Sequence, residues 1–235
     1  MAHPIYERFH YKYRLQLESI ARSHFKPENK EWQMYITSLA KYAETVNQGY
    51  CDLHINKNYV CMVHLIRMMC DACFEAYRLL LVNDKEGYLK KYLFNEGKKE
   101  LNKFRVANDQ ATSTLIKNKM VDEYGEAMAK VYEYSNRFIH PSNFYYRDYS
   151  LEDRREIIHN PDTLLDDYSR LFDKDEVARI DDIMDVLNEV LLDILDKLKE
   201  YVEPTPQLPN KIDLATRSII HNTDYKEEDG VDTTP

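Results

Sequence analysis

The chain has 235 residues, a length that suits one domain with at most a short appendage. Glycine (5 residues) and proline (8 residues) are scarce, and long stretches rich in Leu, Lys, Glu and Ala run unbroken, which is typical of all-helical proteins. The formal net charge of −9 argues against a protein that coats nucleic acid without specificity.

The N-terminal sequence and the hydropathy of the chain bear on its location. The first residues, MAHPIYERFHYKYR, are too charged for a secretory signal peptide. The most apolar stretch, at residues 59–82, is interrupted by charged side chains and does not suit a bilayer span. We therefore expect a cytoplasmic protein without a membrane segment. Phosphate-binding and dinucleotide-binding glycine motifs are absent from the sequence, so we expect no cofactor.

Helical periodicity predicts an all-α, multi-helix bundle of about six to seven helices. The longer predicted helices span residues 4–24, 27–47, 55–82, 85–108, 114–140 and 174–202. Gly49 is expected to end the second helix. Pro141 is expected to end the fifth, because a residue before proline avoids the helical region. Apolar residues cover most of the third helix, which predicts a central position. Residues 141–162 are predicted to form a connection, with short helices at 151–158 and 164–172.

The composition changes after Glu203. Residues 204–235 are rich in proline and then in acidic residues, which predicts a flexible C-terminal arm on a single helical domain at residues 1–203. A short apolar patch at residues 212–220 is a candidate for docking on the domain or on a partner. The last long helix and the arm are both acidic, so they form a candidate surface for a protein partner.

A stripe of polar residues runs along the third predicted helix. His64, Arg67, Asp71, Glu75 and Arg78 follow one another at helical spacing, which places them on one side of an otherwise apolar helix. Buried charges are costly unless they are paired. The stripe is therefore an internal network in which Arg67 pairs with Asp71 or Glu75, a row of charges that faces a pocket, or one exposed edge.

A second candidate site lies at the end of the fifth predicted helix. The C-terminus of a helix favours the protonated form of His140, and Arg137 lies one turn earlier. Such a pair can cleave RNA without a metal, because histidine exchanges a proton with the reacting oxygens while arginine stabilises the phosphate charge. The alternative is that His140 only caps the helix. Arg154 and His159 form a further candidate pair.

Two groups of residues are candidates for RNA binding. Four basic residues on the fourth predicted helix would form a phosphate-binding face or only a solvated one. Two tyrosines after His140 would stack on bases or pack against the helices. These residues are Lys98, Lys99, Lys103, Arg105, Tyr145 and Tyr146.

The four cysteines, Cys51, Cys61, Cys70 and Cys73, lie in one segment. Without a signal peptide they are expected to be reduced. The spacing of CMVH and CDAC is similar to that of metal ligands, but Cys61 and Cys73 would lie about 18 Å apart along a helix. We therefore expect buried free thiols and no metal site.

Two sequence blocks together resemble a known family. HLIRMMCDACFEAYRLLL, with Arg67 and Glu75, resembles a recurrent R-x7-E helix, and VYEYSNRFIHPS resembles a recurrent tyrosine–serine–aromatic–HPS block. Both occur in bacterial all-helical proteins that are often found near phage-defence genes, and this group resembles a divergent branch of the HEPN superfamily. The resemblance implies a helical bundle, usually dimeric, whose active members are metal-independent ribonucleases of toxin–antitoxin and antiviral defence systems.

The resemblance also implies roles for individual residues. His140 would be the general acid/base, Arg137 or Arg67 the cation on the phosphate, and Asp71 and Glu75 the groups that orient the arginine. The spacing of Arg137 and His140 is shorter than the usual superfamily motif. The leading hypothesis is thus a HEPN-type ribonuclease that acts on RNA as a homodimer. The alternatives are a non-catalytic helical interaction or regulatory subunit, and a binder of a small nucleotide or other ligand.

Overall fold

The architecture is built from helices, as the periodicity predicts. The computed structural model describes residues 3–94, 98–139 and 174–204, with the backbone alone at residues 98–99, 135–139 and 176. Over these ranges the chain is an all-α bundle with one two-stranded hairpin. Within the same ranges, no helix is both long and apolar enough to span a membrane. The described residues belong to a compact unit that extends to Pro204.

Within each described range the elements follow one another with short connections. In chain order they are a π-helix (Tyr6–Tyr11), α1 (Lys12–Ala21), a 3-10 helix (Pro27–Asn29), α2 (Lys30–Ile55), α3 (Tyr59–Leu81), α4 (Lys85–Leu93), α5 (Lys98–Leu101), β1 (Arg105–Val106), β2 (Asp109–Gln110), α6 (Ser113–Tyr124), α7 (Glu126–Ile139) and α8 (Lys174–Val202). The two strands are antiparallel, and Arg105 pairs with Gln110.

The helix α3 is central, as its apolar circumference predicts. It packs against α2, α7 and α8 and also meets α4 and α6. Met62 and Ile66 on this helix are fully buried. The helix α8 has the bounds predicted for the last helix, and Leu187, Leu191 and Leu198 face the core. Apolar burial from several sides therefore fixes α3 in the middle of the bundle.

Buried polar pairs fix the position of α2 against α8. The side-chain amides of Asn47 and Asn188 exchange two hydrogen bonds of 2.7 and 2.9 Å. The Tyr50 hydroxyl donates to Asp181 at 2.7 Å. Because a buried polar group without its partner is costly, these pairs specify one register between the two helices.

The predicted end of the second helix at Gly49 is wrong. The helix α2 continues to Ile55, and Tyr50 and Cys51 beyond the glycine are fully buried. A glycine inside a helix costs about 1 kcal/mol relative to alanine. Burial of a tyrosine and a cysteine on the same face contributes more than this cost, so packing overrides the local signal.

The single helix predicted at residues 85–108 is also wrong. The helix α4 ends at Leu93, and a short α5 and the hairpin follow. Asn83 fixes the turn of the hairpin, because its side chain donates to the carbonyl of Ala107 at 2.9 Å and accepts from the amide of Ala107 at 3.0 Å. Ala107 adopts a φ of 53°, which these two bonds help to hold.

The helix predicted at residues 114–140 consists of two helices. Gly125, with a φ of 82°, separates α6 from α7, a backbone conformation that glycine adopts without steric cost. The predicted stop at Pro141, the connection at 141–162, the helices at 151–158 and 164–172, and the arm beyond Pro204 lie outside the described residues.

Candidate functional site

The polar stripe of α3 forms two arginine–carboxylate pairs. Arg67 Nε and Nη2 lie 3.0 and 2.8 Å from the two carboxylate oxygens of Asp71, so the guanidinium and the carboxylate meet in two parallel bonds. Further along the helix, Arg78 Nη1 donates to both oxygens of Glu75 at 3.0 and 3.1 Å. The stripe is thus a paired network, and the predicted pairing of Arg67 is with Asp71.

The stripe is buried at one end and open at the other. The Arg78 side chain is 2% exposed, and its Nη2 also donates to the Ser113 hydroxyl at the start of α6. Glu75 accepts a further hydrogen bond of 3.0 Å from the Tyr88 hydroxyl on α4. At the open end, His64 is exposed and the Asp71 side chain is 54% exposed. Glu75 therefore neutralises a buried cation, whereas Asp71 binds its arginine next to solvent.

Arg67 also connects α3 to α7. Its guanidinium carbon lies 5.0 Å from the centre of the Tyr132 ring, and Lys117 Nζ approaches the same ring at 4.8 Å. Burial lowers the pKa of Arg67. The hydrogen bond to Asp71 and the charge of Asp71 raise it by a larger amount, so the net shift is upward. The guanidinium is therefore a permanent cation in a defined orientation.

The structure brings together three of the five residues predicted for catalysis. Arg67, Asp71 and Glu75 lie on one side of α3, as predicted. Arg137 lies on α7 and is described by its backbone alone. His140 lies outside the described residues.

The residues predicted to bind RNA do not share one helix face. Lys98 and Lys99 belong to α5 and are described by their backbone alone, and Lys103 and Arg105 follow after that helix. Lys103 is exposed and forms an ion pair with a glutamate on α5. Arg105 donates to the carbonyl of Asn108 at 2.7 Å across the hairpin turn. The remaining candidates, which lie outside the described residues, are Tyr145, Tyr146, Arg154 and His159.

An open pocket of about 430 Å³ lies beside the stripe, between α2, α3 and α4. Three tyrosines line it, namely Tyr35, Tyr42 and Tyr92, and leucine, methionine and alanine side chains complete most of the wall. The only charged groups among its described lining are the carboxylates of Asp71 and Glu75. The pocket is thus apolar and aromatic, with its charge concentrated on one wall.

The formal charges on the described lining of the pocket are negative. Asp71 and Glu75 line the pocket, and their arginine partners are not among the described lining residues. Burial and then the charge of Asp71 raise the pKa of Tyr42. Burial and then the charge of Glu75 raise the pKa of Tyr92 in the same way. Tyr42 and Tyr92 are therefore neutral at neutral pH.

Tyr35 has a feature that its position in the apolar pattern did not indicate. It is 3% exposed, and its hydroxyl has no hydrogen-bond partner among the described residues. Its ring packs edge-on against Tyr92, with 5.3 Å between ring centres. A pattern of apolar residues treats Tyr35 and Tyr42 as core, so sequence reasoning missed both. The available signal was the hydroxyl that each brings to an apolar helix face.

None of the four cysteines, all of which lie in described ranges, forms a disulfide. Cys51, Cys70 and Cys73 are buried, as predicted, whereas Cys61 is exposed in the first turn of α3, which corrects the prediction for this residue. Within the described ranges, no three His, Cys, Asp or Glu side chains cluster in a way that could hold a metal ion.

The fold and the pocket together define a helical-bundle protein with an aromatic, carboxylate-lined cavity next to its central helix. No protein-family model, curated protein or solved structure matches this chain. The resemblance to the HEPN superfamily therefore stays an expectation based on two sequence blocks.

Proposed function

We propose that this chain is a non-catalytic helical module that binds a small molecule in the pocket between α2, α3 and α4. The observation that carries the proposal is the cavity of about 430 Å³. Ligand pockets of roughly 300–1,000 Å³ are typically apolar and aromatic, with a few polar groups that orient the ligand. A ligand there would contact three helices at once, which suits a regulatory subunit whose shape responds to binding.

The pairing of the α3 stripe supports binding rather than phosphate chemistry. A phosphate that approached Arg67 would have to displace Asp71, which already makes two parallel bonds to the guanidinium. Arg78 is buried and donates to Glu75 and Ser113, and its Nε has no hydrogen-bond partner among the described residues. The stripe therefore holds the wall of the pocket in place.

The test compares two serine substitutions of equal size. Ser38 is exposed on α2 and lines the pocket, so Ser38→Phe fills the cavity, whereas Ser19→Phe adds the same bulk on the exposed face of α1. A fragment library with charged and neutral members is screened by the shift in melting temperature. We expect fragments that stabilise the wild type and Ser19→Phe but not Ser38→Phe. A library without such a fragment contradicts the proposal.

A second candidate, a metal-independent HEPN-type ribonuclease acting in phage defence or as a toxin-like effector, is favoured by one observation. The first block lies on α3 and the described part of the second, residues 131–139, lies on α7, and the two helices pack against each other through Arg67 and Tyr132. In this second proposal RNA is the substrate, the chain acts as a homodimer, and Arg67 and Arg137 are the candidate cations beside His140. The acidic face of α8 would then be a surface for a protein partner.

This second proposal is tested by incubating labelled total RNA and tRNA with the purified chain in EDTA. Cleavage that survives chelation, disappears in His140→Ala and is retained in His64→Ala supports it, since His64 is an exposed histidine without a proposed role. Intact RNA with folded protein, with and without cell extract, contradicts it.

A further inference from the structure

We infer that the pocket between α2, α3 and α4 takes a protonated amine carried on an apolar or aromatic body. This inference rests on the proposed binding function and adds the chemical class of the ligand. Three features of the cavity wall carry it, namely its two carboxylates, its aromatic rim and the hydroxyl of Tyr35.

The carboxylate partner of each ion pair lines the cavity. Asp71 and Glu75 line the pocket, while Arg67 and Arg78 are not among its described lining residues. A carboxylate oxygen that accepts one bond from arginine keeps a second lone pair for another donor. With its side chain 54% exposed, Asp71 has room for such a donor. An ammonium group would form a charge-assisted hydrogen bond there.

The rim of the pocket is aromatic. Tyr42 is 37% exposed and Tyr92 is 36% exposed, so both rings are accessible at the mouth of the cavity. The face of a tyrosine ring attracts a cation within about 6 Å of its centre. Leu39 and Met68 supply an apolar surface for the rest of the ligand. The rim therefore suits a ligand that has a cationic end and an apolar end.

The buried hydroxyl of Tyr35 has no hydrogen-bond partner among the described residues of the bundle. A buried hydroxyl without a partner is costly, and such groups are rare in native proteins. Tyr35 lines the pocket but its oxygen is buried, so a ligand N–H group would supply the missing partner only after the side chains that cover the oxygen move aside. Burial raises the pKa of Tyr35, neighbouring tyrosines and Glu75 raise it further, and the charge of Arg78 opposes them. Tyr35 is thus a candidate residue for ligand specificity.

The same wall disfavours anionic ligands. A phosphate or carboxylate in the cavity would face two carboxylates with no lysine or arginine among the described lining residues. The two carboxylates therefore disfavour nucleotides and RNA as ligands of this pocket.

The experiment uses a matched pair of probes on the full chain, 4-phenylbutylamine and 4-phenyl-1-butanol. They have nearly the same size and shape but differ in charge at neutral pH. Affinity is measured by calorimetric titration for the wild type, Asp71→Asn, Tyr35→Phe and the control Asp122→Asn. Asp122 is an exposed carboxylate on α6, away from the lining of the pocket.

We expect the amine to bind at millimolar concentration or better and at least about tenfold more tightly than the alcohol. Asp71→Asn should remove most of this preference, Tyr35→Phe should weaken amine binding severalfold, and Asp122→Asn should change neither. Equal binding of the two probes, or a preference that survives Asp71→Asn, overturns the inferred class while the pocket proposal stands. If the amine does not bind, but neutral fragments bind the wild type and fail to bind Ser38→Phe, the inferred ligand class is again overturned while the pocket proposal stands. Failure of every fragment overturns the pocket proposal itself.

Discussion

Two tyrosines in the bundle interior show how strongly a hydroxyl depends on its partner. The Tyr50 hydroxyl donates to Asp181 at 2.7 Å and helps to hold α2 on α8. The Tyr35 hydroxyl is equally buried but has no partner among the described residues. One hydroxyl therefore stabilises the fold, and the other is retained at a cost, as expected for a group that serves a ligand.

The same substitution at these two positions should have different effects on stability. Tyr35→Phe should leave the free energy of unfolding of the ligand-free protein unchanged or raise it by up to about 1 kcal/mol, because it removes an unpaired group. Tyr50→Phe should lower it by about 1–3 kcal/mol, because Asp181 loses a donor inside the bundle. Urea unfolding measures both values. A loss at Tyr35 as large as the loss at Tyr50 would show that Tyr35 has a structural partner.

The two carboxylates of the α3 stripe should also differ. Glu75→Gln leaves the buried guanidinium of Arg78 without its counter-charge, which should cost about 3 kcal/mol. Asp71→Asn breaks a pair next to solvent and should cost less than about 1 kcal/mol. Chemical unfolding of the two variants gives the comparison. Equal losses would contradict the graded burial of the stripe and would make Asp71 unsuitable as a probe of ligand charge.

The existence of the long helices could be predicted from the sequence, but several of their ends could not. The pattern of apolar residues located α3 and gave the bounds of α8. It failed at Gly49 and at residues 85–108, where the outcome depends on contacts with distant parts of the chain. Burial of Tyr50 carries α2 past the glycine, and the side chain of Asn83 fixes a hairpin turn that no local pattern encodes.

Replacing two glycines by alanine should therefore change the free energy of unfolding in opposite directions. At Gly49, inside α2, an added Cβ would lie 3.4 Å from Leu65, an ordinary contact, so Gly49→Ala should raise the free energy of unfolding by about 0.5–1 kcal/mol. At Gly125 the positive φ of 82° opposes any side chain, so Gly125→Ala should lower it by about 1 kcal/mol. Thermal or urea unfolding of both variants measures the two changes in the free energy of unfolding. A stabilising Gly125→Ala would mean that α6 and α7 join as one helix.

Over the whole molecule, the abundance of tyrosine has a consequence for stability at high pH. A hydrogen bond to Asp52 raises the pKa of Tyr6 to about 12. Burial, together with a carboxylate on another element, raises the pKa of Tyr13, Tyr77 and Tyr124 further. These hydroxyls are held in the neutral form by the fold, whereas an unfolded chain ionises them near a pH of about 10.

The sign of this linkage predicts alkaline unfolding. Above a pH of about 10 the unfolded state loses protons that the folded state keeps, so the free energy of unfolding falls as pH rises towards the folded-state pKa values. Below that pH the contribution is fully present. A pH titration should show a cooperative rise in tyrosinate absorbance that coincides with the loss of helical circular dichroism. A gradual rise to full tyrosinate absorbance near a pH of about 10, with the helices intact, would contradict these tyrosine–carboxylate hydrogen bonds.

The candidate site was predictable only in part, because its groups come from three helices. The spacing along α3 indicated the stripe that contains Asp71 and Glu75, and it left the pairing of Arg67 open. The sequence contains no signal that places Tyr35 and Tyr92 opposite that stripe, since one lies on α2 and the other on α4. A pocket between helices is a property of packing, and periodicity describes each helix separately.

The most direct test of the pocket as a ligand site is a titration of the [¹³C-methyl]methionine-labelled chain with 4-phenylbutylamine, followed by NMR. Met68 lines the cavity, and Met184 is buried in the core on α8. We predict a saturable shift of the Met68 methyl signal, little change at Met184, and loss of the Met68 response in Ser38→Phe. A Met68 signal that stays fixed while the amine is added, in a chain that remains folded, would contradict the assignment of this pocket as a binding site for amines.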